Sequence, residues 1–82
     1  MSLKRKEGIG VYWSEEDRDN GPFMIRIGGT KDFVSKIGPR QVELVSGWSN
    51  RDSLHFKTLD EAIDAAEQVW NIEGFHVQVE VA

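Results

Sequence analysis

No cysteine occurs in the 82 residues, so neither a disulfide nor a thiolate-bound metal can staple the chain; its folded state must rest on burial or on a partner. A disulfide-rich secreted scaffold is excluded. Long hydrophobic runs are missing too: nothing approaches the roughly 18 consecutive apolar residues needed to cross a bilayer, and no apolar stretch of secretory type follows the basic start Met-Ser-Leu-Lys-Arg-Lys. The expected location is the cytoplasm. Positive charge is in deficit, with 10 lysines and arginines against 14 acids and a net charge of -4, which does not favour a chain that clings to duplex nucleic acid by charge alone. Walker, GxGxxG and nucleophile-elbow patterns are absent, and Ile27-Gly28-Gly29-Thr30, which has glycines but no lysine-serine pair, reads as a turn. No repeat or low-complexity segment is visible.

The remaining composition, 39% hydrophobic and 29% charged, is that of an ordinary globular domain. Size scaling gives it a folded surface of roughly 5,000 Å², which allows a single core. Residues 1–7 read as a disordered basic leader, of which Met1, Ser2 and Leu3 could be appended rather than native, and residues 8–82 as one α+β domain.

Within that domain, period-two alternation predicts strands over residues 9–13 (Ile9, Val11, Trp13) and 23–27 (Phe23, Ile25, Ile27), paired as a hairpin. Residues 30–38 carry Phe33, Val34 and Ile37 at helical spacing between glycines, which suggests a short helix or an ordered loop. Strands follow at 41–45 and 53–57. Thr58 and Glu61 stand at capping-box spacing before a helix over residues 59–72, whose apolar face is Leu59, Ala62, Ile63, Ala66, Val69 and Trp70, with Gly74 as its stop. Phe75, Val77, Val79 and Val81 then alternate as a last strand, expected to run parallel to 53–57 in a βαβ unit. The predicted fold class is a mostly antiparallel sheet of about five strands with one main helix on one face, in the order β-β-(short helix or loop)-β-β-α-β.

Four groups of residues are candidates for function. Tyr12 and Trp48, which fall outside the expected core, together with Arg26, Arg40 and Arg51 from a stretch (21–51) whose local balance is +3, offer a basic and aromatic binding surface. Asp60, Glu61, Asp64 and Glu67 make the polar helix face negative, and residues 51–82 carry two bases against seven acids; this face is either simply solvated, with acids favouring the helix N-terminus, or a docking surface for a basic partner. His55 and His76 share the parity of the uncovered sheet face and would need Glu80 or Glu43 to complete a metal site, so two surface histidines are the plainer reading. Finally, Tyr12, Met24, Val45 and Trp48 on the face without a helix, or the terminal strand 75–81 at an edge without proline, lysine or glycine, could join two copies.

No nucleophile, acid-base pair or metal set assembles from these residues. The expectation is a non-catalytic interaction module without cofactor or metal, binding protein and forming a homodimer. A nucleic-acid- or ligand-binding domain using Arg26, Arg40, Trp48 and Arg51 is the alternative, and an enzyme built on His55, His76 and Glu80 comes third.

Overall fold

A computed structural model describes residues 3–82, the side chains of residues 48–50 excepted. Six strands form one sheet: β1 (Lys4–Arg5), β2 (Val11–Trp13), β3 (Phe23–Ile27), β4 (Asp32–Ile37), β5 (Val42–Ser46) and β6 (Val77–Val81), with one α-helix, α1 (Leu59–Glu73), between β5 and β6. Their spatial order is β1-β2-β6-β3-β4-β5, and every neighbouring pair is antiparallel except β2 with β6. This is the expected α+β class, with one more strand and a different order. No helix among the described residues is long and apolar enough to cross a membrane.

The helix forms where the pattern put it. Thr58 Oγ1 accepts from the Glu61 backbone N–H at 3.2 Å, and the chain leaves the last turn through Gly74, whose φ of 72° is the left-handed conformation that glycine adopts without a Cβ penalty. Leu59, Ala62, Ile63, Ala65, Ala66 and Val69 are buried against Val11, Phe23, Ile25, Ile27, Val34, Val77 and Val79 of the sheet, and Trp13 and Trp70 pack partly buried against this cluster. The total surface of 5227 Å² is close to the value expected for one domain of this length.

Five expectations are corrected. Lys4 and Arg5, inside the supposed disordered leader, pair with Trp13 and Tyr12 as a short edge strand. Residues 11–13 and 23–27 are not a hairpin: β6 lies between them, parallel to one and antiparallel to the other. Residues 32–37 are a strand rather than a helix or loop. A bulge between Val34 and Lys36 turns Val34 and Ile37 to the same face, and a same-face spacing of three is what had imitated a helical period.

Residues 53–57 do not form a full strand. They wedge between β3 and β4: Leu54 N–H donates to Val34 O at 2.9 Å, and Phe23 and Phe56 exchange two backbone bonds of 2.8 Å. The wedge is antiparallel to β3, as β6 is, so its direction is the one the sequence implied. Lastly, β6 is not an edge. Its lack of edge protection reflects a strand paired on both sides, with Val77 and Val79 buried.

Candidate functional site

On the face opposite α1, paired residues line up in one row across the whole sheet: Arg5, Tyr12, Gln78, Arg26, Phe33 and Val45, each the register partner of the next. The row brings Tyr12 and Arg26 onto one surface with β6 between them, roughly 10 Å apart at ordinary strand spacing. Tyr12 stacks on His76 with ring centroids 6.1 Å apart, His76 meets the edge of Trp70 at 5.3 Å, and the Arg5 guanidinium stands 5.9 Å from the Tyr12 ring centre. Arg26 is held within the chain: Nε donates to Glu80 at 2.5 Å, one Nη to Gln78 Oε1 at 3.1 Å and the other to Thr30 O at 3.0 Å. Its charge is matched by Glu80, so an incoming phosphate would have to compete for it.

The other residues of the basic surface do not join this row. Arg40 is exposed in the turn from β4 to β5, closed by Gly38 N–H donating to Gln41 O, whereas Arg51 is exposed in a 3₁₀ turn (Gly47–Asp52) that leaves from the opposite end of the same hairpin. The Trp48 side chain lies outside the described residues. Met24 was expected to be open on this face and is buried, as is Phe33, each 8% exposed; Tyr12 and Val45 are half-buried. The apolar part of the open face is therefore largely covered already.

The acidic helix face is bracketed by the chain's own cations. Arg18 Nη1 donates to Asp60 at 3.0 Å while its Nε and Nη2 make a fork to Glu15 at 2.8 and 2.7 Å, and Trp13 Nε1 donates to Glu15 at 3.0 Å. These bonds hold the Glu15 carboxyl down to about 2 and push the Arg18 guanidinium up. At the other end of the face Lys6 donates to Glu67, which raises the Lys6 ammonium, with the Asp64 charge adding to the effect. Glu61 and Asp64 remain exposed.

An open cleft of about 460 Å³ at the helix N-terminus is lined by Arg18, Asp19, Gly21, Lys57, Thr58 and Asp60, two bases against two acids. His55 is exposed in the wedge segment and His76 is engaged with Tyr12 and Trp70; among the described residues no three His, Cys, Asp or Glu side chains converge as a metal site would require.

Sequence reasoning missed two features of the surface. Leu44, on β5, is 38% exposed although it shares the parity of Val42, which packs on the core. The strand that carries it is an edge of the sheet. The alternation of residues 41–45 identified the strand, but nothing local in it tells an edge from a centre. The chain matches no family model, no curated protein and no solved structure.

Proposed function

We propose that this chain is a small non-catalytic interaction module of the cytoplasm that binds protein and associates with itself. The observation that carries the reading is a six-stranded sheet with a single helix packed on one face, so that part of the sheet surface and one long edge have no covering element among the described residues. The charged groups that catalysis or phosphate binding would draw on, Arg26, Arg18, Glu15 and Glu80, are engaged with one another instead. Protein contact can use shape and backbone edges, which the open face and the bare edge of the sheet offer without releasing those pairs.

Size exclusion with light scattering tests the self-association. A mass above the 9.3 kDa of one chain, rising with concentration, is expected; a mass fixed at 9.3 kDa at all concentrations overturns it. Polarisation of a labelled single-stranded oligonucleotide tests the competing basic-surface reading in parallel. No binding is expected at physiological salt, and a salt-dependent affinity that falls on Arg40→Ala or Arg51→Ala would establish that reading instead.

A further inference from the structure

We propose that β5 is the dimerisation edge: two copies of this chain pair their β5 strands antiparallel about a two-fold axis through Leu44, joining two six-stranded sheets into one. The inference rests on the self-association reading and names its surface. Its first support is the difference between the two edges of the sheet. β1 is two residues long, both cationic, and Lys6 beyond it is tied to Glu67, which is how an edge is blunted against pairing. β5 is five residues long, has a strand on one side only, and contains no proline, lysine or arginine. Its one charge, Glu43, stands 3.8 Å from Lys36 of its own hairpin, and the bulge of that hairpin is in β4 rather than in β5.

The second support is Leu44. It points to the face that α1 covers yet is left 38% exposed at the margin, where a strand added beside β5 would cover it. Register arithmetic then shows that a second copy can occupy this edge along its whole length without opposing like charges. Directly opposed residues of an antiparallel pair share a sheet face, so a two-fold pairing must oppose residues of equal parity. Centring it on Glu43 sets two like charges against each other and overlaps three residues of the strand; centring it on Val45 again overlaps only three. Only the centre at Leu44 overlaps all five residues, placing Leu44 on the second copy's Leu44, Val42 on its Ser46 and Glu43 on its Val45.

The absence of cysteine gives a clean test on the full chain. In this pairing the two Leu44 Cα atoms lie roughly 4.5–5.5 Å apart, within disulfide range. Under mild oxidation Leu44→Cys is expected to yield a disulfide-linked dimer. Ser46→Cys alone is not, but mixed with Val42→Cys it is. Leu44→Lys, which places two charges on the axis, is expected to weaken the dimer by roughly tenfold or more with an unchanged circular dichroism spectrum. A native chain that is dimeric by light scattering but gives no cross-link at position 44 and none from the mixed pair overturns the β5 edge while leaving self-association intact. A native chain that stays single at every concentration overturns both.

Discussion

Gly10 sits against the rings of His76 and Trp70, and its missing side chain is what lets them come so close. A Cβ there would lie 2.5 Å from His76 Nδ1 and 2.7 Å from Trp70 Cζ3, closer than packed atoms come, so either ring would have to move. Gly10→Ala is expected to cost about 1–3 kcal/mol in urea denaturation; an unchanged midpoint contradicts the crowding. Thr58→Ala removes the hydroxyl that accepts from Glu61 N–H and should cost about 1 kcal/mol by the same measurement. Glu15 makes a pH prediction. Its folded value of about 2 lies below its ordinary 4.5, so it contributes stability above pH 4.5 that is lost as the pH falls through that interval toward 2. Glu15→Gln should flatten the fall in melting temperature between those values, and equal slopes for the two proteins would remove the Arg18 fork from the account. The Thr58 cap was legible because its partners are three residues apart. The ion pairs Lys6 to Glu67 and Arg26 to Glu80 were not, since they join residues 61 and 54 apart and no local period encodes such a meeting.

At the scale of elements, the helix was the most readable feature because its period, cap and stop agree with one another. Ile63→Ala should cost about 2–5 kcal/mol, since the side chain faces the sheet among buried neighbours, and Phe56→Ala should cost less because the wedge segment leaves its ring half exposed. Denaturation midpoints in the reverse order would contradict the placement of the wedge. Residues 30–38 were misread for a definite reason: Phe33, Val34 and Ile37 fit a helical stripe and a bulged strand equally well, and only the pairing with β5 decides between them. Residues 53–57 alternate like a strand, but their backbone bonds to the sheet are those of one bridge, Phe56 with Phe23, and a single further bond from Leu54 to Val34. Strand order is a long-range property. Whether residues 77–81 lie in the centre or at an edge depends on β2 and β3, whose paired residues lie 50 or more positions earlier in the chain, and their own alternation is the same in either place.

At the scale of the molecule, the one helix and six strands of the described residues leave an asymmetric body: one face closed by α1, an opposite face whose apolar residues are mostly sheltered and whose arginine is matched by Glu80, one blunted edge and one edge bare among the described residues. Of the residues singled out from the sequence, Tyr12 and Arg26 come together in the row across the open face, whereas Arg40 and Arg51 belong to opposite ends of a hairpin and the acidic helix residues are partly matched by Arg18 and Lys6. Of the two surfaces the sequence offered for a second copy, the open face is largely sheltered and β6 is paired on both sides, so the proposed contact is β5: bare alternation in a strand is a hazard only where no neighbour covers it. Light scattering of the native chain and of Leu44→Lys, across a concentration series through the micromolar range, tests this most directly. The account predicts that the native mass climbs from 9.3 kDa toward twice that value while the rise of the variant is displaced to roughly tenfold or more higher concentration; identical mass curves for the two proteins would contradict it.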